Sequence, residues 1–580
     1  MSPMGQMSPT TLLADGGARQ GEADLWCSYA AVRTLHWLGK KPARPEDVIA
    51  FLRSRQNADG GFAWQRGLPS DVWATYYCAQ ALGDLGHPVP DPDRLAGWLA
   101  DTRTADGGFA MTPGQGADIW AVYYATRVQR EVLGRPVPEV EALGGWLAAA
   151  QHADGGLGWS PGSRTPDVRA GYYGALAWRA AAGAAPVPWH AQALSGWLRD
   201  QQDTTGGFRF SPTSHPCAWA AFRAVRALDA LGTGPREPDA LRRWLADRRL
   251  PGGGYERWAG YGRADVWSAF SVVGALQTLG DPIGPADRAT IADQVRGCQL
   301  PESGFTYTEP GRAGDSLATA AVTILAALRP AAGPASPEST VRWLRGAHLP
   351  YEDGVMYMPG RGAEVRCTLW AVEALAAVGE SLDTGRLGRW IRGLQNTDGG
   401  FGYWLGRGSD LVSTVSAVEA LAAAGLDPAD WTDVPAVLRF LANCRHQDGY
   451  GPVPGAEPAL AATAQAARVL DLLGEGGPAR ELGAGLAQRS GPLGGFGPSP
   501  RGLPDLLSTY QAVLTQRTLG LPVDLDGLRR FLAKVRVGSG FAWSPLSRQP
   551  AGLLAGCLGE QLAALAASDA APSRLLRLNL

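Results

Sequence analysis

The stretch QNADGGFAWQRGLPSDVWATYYCAQALGDLG, residues 56–86, contains one copy of a unit that organises the whole chain. A glycine pair and an aromatic come first, then an aspartate, Asp71, then a segment apolar or small on nearly every face. A helix that is apolar all round is a buried helix. The order returns along the sequence, with glycine loops at TADGGF (104–109), QHADGG (151–156), QQDTTGGF (201–208) and QNTDGGF (395–401). Buried segments start at Asp24, Asp71, Asp118, Asp167, Cys217, Asp265, Asp315, Glu364, Asp410, Ala459, Asp505 and near Pro550, a period of about 48 residues. Between them lie shorter amphipathic segments carrying Trp98, Trp146, Trp197, Trp244, Trp343 or Trp390. These read as outer helices that turn their tryptophan toward the inner layer.

No period-two alternation of useful length survives in this pattern, so the fold class is all-α. Alternating buried and amphipathic helices stack as hairpins in inner and outer layers. Twelve buried segments are expected to close as two (α/α)6 rings. Eleven outer segments are evident, so one ring lacks an outer helix or borrows an irregular one. A chain of 580 residues is too long for one core. Sequential rings over 1–282 and 283–580 are expected.

Composition removes several functions. With 53 basic and 55 acidic residues the formal charge is −2, and no basic stripe suggests nucleic acid. No apolar run is long enough to span a membrane, so any membrane contact is peripheral. The opening residues carry no secretion pattern. The seven cysteines sit singly, which reads as reduced thiols and a cytoplasmic location. Oligomeric state is left open.

The two halves differ at fixed positions. Two residues after each helix start, the first six repeats carry Trp26, Trp73, Trp120, Arg169, Trp219 and Trp267. Five residues after it they carry Tyr29, Tyr76, Tyr123, Tyr172, Phe222 and Phe270. Positions three apart share a helix face. The last six repeats mostly lack these aromatics, so the second half reads as structural. Two aromatic belts either fill a wide core or line a ligand cavity, and π faces stabilise carbocations by roughly 0.5–2 kcal/mol per ring. The aspartates first read as N-caps. Loop arginines (Arg66, Arg164, Arg257, Arg263, Arg312, Arg361, Arg407) suit diphosphate recognition, though exposed loop arginines are common.

The glycine loops in register resemble the Q-x-x-x-G-x-aromatic motifs of squalene-hopene and oxidosqualene cyclases and the GGF loops of protein prenyltransferase β subunits. The resemblance spans about residues 20–570. Asp24-Leu-Trp26-Cys27-Ser-Tyr29 resembles the first inner helix of the prenyltransferase family. Asp167-Val-Arg169-Ala-Gly-Tyr172-Tyr173 resembles its D-V-R-x-x-Y-C segment, where Arg and Tyr face the substrate funnel. The family's zinc motif D-x-C falls at Asp265-Val-Trp267, where Trp replaces Cys, and Ala318 stands where a His would complete the site. Zinc is therefore not expected. The D-x-D-D acid motif of class II terpenoid cyclases is also missing, as are the class I metal motifs; Mg²⁺ would enter only with a diphosphate substrate.

The resemblance implies an isoprenoid substrate. The leading expectation is a terpenoid cyclase or isomerase with a non-standard acid among Asp71, Asp118, Asp167 and Asp265, and with Arg169 on diphosphate or on a carboxylate. Zinc-independent prenyl transfer to a small acceptor is the alternative, and a non-catalytic lipid- or protein-binding ring is the third.

Overall fold

The computed structural model describes residues 13, 15–19, 23–64, 69–163, 165–212, 214–281, 283–328, 337–348, 353–358, 361–499, 502–567 and 575–580. Arg66 and Arg164 lie outside them. The fold is all-α with α/α-toroid repeats, and among the described residues only two short two-stranded pairs occur. No helix among them is long and apolar enough to cross a membrane.

The chain forms two compact units, Glu22–Pro310 and Met1–Gly21 with Gly311–Leu580. In the first, the inner helices are Leu25–Trp37, Val72–Asp84, Ile119–Arg127, Val168–Ala182, Ala218–Ala230 and Val266–Thr278. Each packs on the next, and the sixth packs back on the first, which closes a ring. The inner helices of the second unit are Ser316–Leu328, Val365–Ala377, Leu411–Ala423, Leu460–Leu472, Leu506–Thr518 and Gly552–Ala567. They close in the same way.

Capping fixes where most inner helices begin. The Asp71 Oδ1 accepts from the amides of Trp73 and Ala74 at 2.9 and 3.0 Å. Asp24, Asp118, Asp167, Asp265, Asp315, Asp410 and Asp505 cap likewise. Cys217, Glu364 and Ala459 hold the same position without a side-chain cap. Outer helices commonly start on proline, as at Pro45, Pro92, Pro238 and Pro285, where the missing N–H is no loss.

A second contact sets the register of those hairpins that carry a Ser or Thr four residues after the helix start. The Phe62 amide donates to the Thr75 hydroxyl at 2.9 Å, and the Asp71 amide donates to the Phe62 carbonyl at 3.0 Å. The same clip joins Phe401 to Thr414 and Asp410, and Phe496 to Thr509 and Asp505. The glycine pair serves the outer layer. A Cβ on Gly61 would lie 2.9 Å from the Trp98 indole, so the tryptophan of the following outer helix sits on the loop.

The clips also explain the division of the chain. The Phe305 amide donates to Ser28 Oγ at 2.9 Å, and the Asp24 amide donates to the Phe305 carbonyl at 3.0 Å. The outer helix Pro285–Arg296 and its loop therefore close on the first inner helix, and the unit runs to Pro310 rather than to 282. The Ala18 amide meets Thr319 Oγ1 at 2.9 Å, while the Asp315 amide reaches the Ala18 carbonyl at 2.8 Å. Residues around Ala18 thus act as the loop of the seventh inner helix.

Gly399 has φ +92°, and a Cβ there would run into the Ala436 carbonyl. Left-handed backbone costs a non-glycine residue roughly 1–2 kcal/mol before any clash. Gly399→Ala is expected to destabilise the chain by at least that, read from the urea unfolding midpoint; an unchanged midpoint would contradict the clash.

Candidate functional site

Register turns both belts of the Glu22–Pro310 unit inward, and every belt aromatic is buried. The rings touch one another. Trp26 stacks on Trp267 with centroids 4.3 Å apart, and Trp219 approaches the two at 5.1 and 5.4 Å. Trp73 meets Trp120 edge-on at 5.0 Å. In the other belt, Phe222 meets Phe270 at 5.0 Å and the Tyr123 and Tyr172 hydroxyls lie 2.9 Å apart. Tyr29 and Tyr76 approach at 5.8 Å. The rings therefore pack against one another, within each belt, across the ring through Trp26 and Trp219, and between belts through Tyr29 and Trp267.

Sequence reading missed a third set of inward positions, six residues after the helix start. Tyr77, Tyr124 and Tyr173 occupy it and bridge the belts: Tyr77 stacks on Tyr29 at 4.1 Å, Tyr124 on Trp73 at 5.8 Å, and Tyr173 meets Trp120 at 5.7 Å. The paired tyrosines of DVWATYY and DIWAVYY were the available signal. Burial pushes the Tyr29 hydroxyl up to about 12 and raises those of Tyr76, Tyr77 and Tyr124 well above the usual value. They remain neutral hydroxyls at physiological pH.

Two buried arginines also enter the interior. Arg127 lies over the rings of Tyr76 and Tyr123 at 4.8 and 5.0 Å, donates to the Tyr123 hydroxyl and pairs with Glu131. Arg223 lies 5.5 Å from the Trp219 ring. Near the C-terminal ends of the third to fifth inner helices is a cavity of about 570 Å³, lined by Arg127, Arg130, Arg179 and Arg226 with Glu131 and Asp229. It lies away from the belt of indoles, which belongs to the N-terminal ends.

The candidate acids occupy different surroundings. Asp71 and Asp118 accept from backbone amides of the first turn. Asp167 is taken up by Arg169, whose Nε and Nη2 lie 2.9 and 2.8 Å from its two oxygens. The same guanidinium lies over Trp159 and Phe210 at 5.1 and 4.7 Å. Arg169 is therefore turned back onto its own helix cap. Asp265 is the distinctive one. Burial raises its carboxyl to about 6, against the hydrogen bonds from Ser268 and Trp267 and the charge of Arg257. Its Oδ1 accepts from the Trp267 and Ser268 amides at 2.8 Å each, and its Oδ2 from the Ser268 hydroxyl at 2.8 Å.

Asp265 thus stands at the head of the helix that carries Trp267 into the three-indole cluster. Arg257 lies 3.9 Å from the Trp219 ring at the same end. The indole N–H groups of Trp219 and Trp267 are buried without a hydrogen-bond partner among the described residues. Zinc does not fit here, because the residue two after Asp265 is an indole engaged in stacking. Among the described residues, no three His, Cys, Asp or Glu side chains are grouped to hold a metal ion.

The prenyltransferase alpha-alpha toroid domain matches the chain repeatedly, over residues 11–209, 70–261, 172–361, 257–451, 361–476 and 476–545. Among curated proteins none matches significantly. The fold is similar to ent-copalyl diphosphate synthase from Streptomyces platensis, at 17% identity over 93% of this chain and 94% of that one, TM-score 0.44. It is also similar to Candida albicans protein geranylgeranyltransferase-I complexed with GGPP, at 15% identity over 43% of this chain and 84% of that one, TM-score 0.36. A type II terpene cyclase from Scytonema matches at 14% identity over 46% of this chain and 80% of that one, TM-score 0.33. With its toroid matches running from residue 11 to residue 545, the chain belongs to the prenyltransferase alpha-alpha toroid domain family.

Proposed function

We propose that the chain is a terpenoid cyclase or isomerase that starts carbocation chemistry from Asp265 in the Glu22–Pro310 unit. The observation that carries this reading is a wholly buried carboxyl, raised to about 6, at the head of a helix whose Trp267 joins Trp26 and Trp219. A carboxyl protonated near neutral pH can act as a general acid. The alkene π pair of a polyprenyl substrate takes the Asp265 proton, leaving a carboxylate and a tertiary carbocation. A neighbouring alkene closes a ring on that cation, and loss of a proton to the carboxylate restores the acid. The indole faces stabilise the cation, and burial of the cluster keeps water from quenching it. For the chain to enter, indole–indole contacts give way to indole–substrate contacts. Mg²⁺ enters only as the counter-ion of a diphosphate substrate.

The packed belts favour a second reading, a non-catalytic ring that binds a lipid or protein. Incubation with farnesyl and geranylgeranyl diphosphates, with and without Mg²⁺ and small acceptors, separates the readings. Cyclic diphosphate or hydrocarbon in the organic extract supports cyclisation; diphosphate release that requires an acceptor supports prenyl transfer. Binding without turnover supports the second reading. Two variants sharpen the assay. Trp267→Phe is expected to keep the fold and cut turnover about tenfold, because an indole holds a cation better than a phenyl ring. Asp71→Asn is expected to leave both melting and turnover unchanged, since asparagine caps as well as aspartate; a large rate loss there would move the acid to Asp71.

A further inference from the structure

The interior of the ring formed within Gly311–Leu580 is polar and occupied by the chain itself. The segment Leu575–Leu580, LLRLNL, forms no helix, and Leu575, Leu578 and Asn579 are buried. A buried segment with no helix or sheet partner must satisfy its backbone on side chains. Here the ring supplies them. The Leu576 amide donates to Gln561 Oε1 at 3.1 Å, and the Tyr510 hydroxyl donates to the Leu576 carbonyl at 2.7 Å. The Arg577 amide donates to Glu373 Oε1 at 3.2 Å. Gln511 Nε2 reaches the Leu578 carbonyl, and Trp370 Nε1 the Asn579 carbonyl, each at 2.8 Å.

The side chain of Asn579 is read at both ends. Its Nδ2 donates to Glu419 Oε2 at 2.9 Å and to Ser416 Oγ at 3.3 Å. Its Oδ1 accepts from Arg468 Nη2 at 3.1 Å and Gln465 Nε2 at 3.3 Å. That is the full capacity of an asparagine amide. An aspartate there would set its charge against Glu419. All four partners are almost wholly buried. The occupant still leaves two acceptors of the interior unmet: Gln465 Oε1 and Gln511 Oε1 are buried with no partner among the described residues.

We propose that this interior is a peptide-binding site, held in cis by Leu575–Leu580 and open to exchange with an extended Leu-x-Leu-Asn segment of another protein. The arrangement has the parts of a recognition site: backbone partners that accept any extended peptide, a pocket selective for asparagine, and acceptors that a ligand with further donors would fill. It is independent of the isoprenoid chemistry proposed for Glu22–Pro310.

The test uses the full chain with a site-specific protease sequence inserted after Pro572. After cleavage, a fluorescein-labelled peptide of residues 574–580 is added and exchange is followed by anisotropy. The expected result is saturable binding by the cleaved chain, with the Asn→Asp peptide about 10- to 100-fold weaker. The uncleaved chain should bind the labelled peptide far more weakly, because a tethered segment competes at about millimolar effective concentration. Uncleaved Asn579→Asp should bind it better than the uncleaved parent does. If the cleaved segment never exchanges while the protein stays folded, Leu575–Leu580 is a fixed core element and the proposal fails. Failure to discriminate Asn from Asp overturns it too. Should Asn579→Asp not fold, the cleaved chain alone decides.

Discussion

Replacing Asp265 by asparagine is expected to end turnover and, at pH 7.5, to leave the fold as stable or more so. The two effects share one cause. A carboxyl raised to about 6 in the folded chain binds its proton more tightly there than in the unfolded chain. Between about pH 4 and 6 the native state therefore holds more protons, and stability falls as pH rises through that window. Above about pH 6 the penalty is complete, of order 3 kcal/mol at most for a shift of this size. Asparagine keeps the cap oxygen for the Trp267 and Ser268 amides and carries no charge. Guanidinium unfolding at pH 4.0 and 7.5 should show the variant gaining on the wild type only at the higher pH. A variant weaker at both would mean that the carboxylate is better solvated than its burial implies. Loss of a general acid lowers rate by about 10²–10⁴-fold. In the wild type, turnover should decline about tenfold per pH unit above about 6, as the acid loses its proton. Unchanged turnover in Asp265→Asn would remove it from the chemistry.

Arg468→Leu should be among the most damaging single substitutions in the Gly311–Leu580 unit. Arg468 and Glu419 are both wholly buried, with Nε and Oε1 2.6 Å apart, and Arg468 also donates to Thr515 Oγ1 at 2.9 Å. Removing one member of a buried pair strands the other charge and costs about 3–5 kcal/mol. The expected result is a loss of that size in urea unfolding, most of it recovered when Glu419→Gln is added. A loss under about 1 kcal/mol would mean that water reaches Glu419 once the arginine is gone.

The repeat was legible because its marks are local. An aspartate that meets the free amides of its own first turn, and a proline that begins an outer helix, need no distant partner. Helix starts from Asp24 to Asp505 could therefore be placed from the sequence. The inward direction of Trp26, Trp73 and Trp267 was legible for the same reason, since helical register fixes it. Whether inward rings leave a void was not. That depends on how side chains from six helices share one volume, and here Trp26 and Trp267 stack on each other.

The Asp265 carboxyl could not be told from its fellow caps for a related reason. Its proton affinity comes from burial, and burial is the work of neighbours far along the chain. In the second half the third set holds the polar Gln465 and Gln511, with Glu419 and Arg468 three residues further along their helices, and no local pattern relates the four. They become a site only with Leu575–Leu580 among them.

Sequence by itself determined what a single hairpin determines: all-α repeats, their spacing, their caps and the faces they turn inward, because these rest on interactions within a few residues. Tertiary structure alone decided which segment closes which ring, how Ala18 comes to clip Asp315 and Asn579 to sit beside Glu419. Those contacts join residues that a local pattern cannot relate. Their formation depends on the geometry of a ring that exists only once all six helices have met.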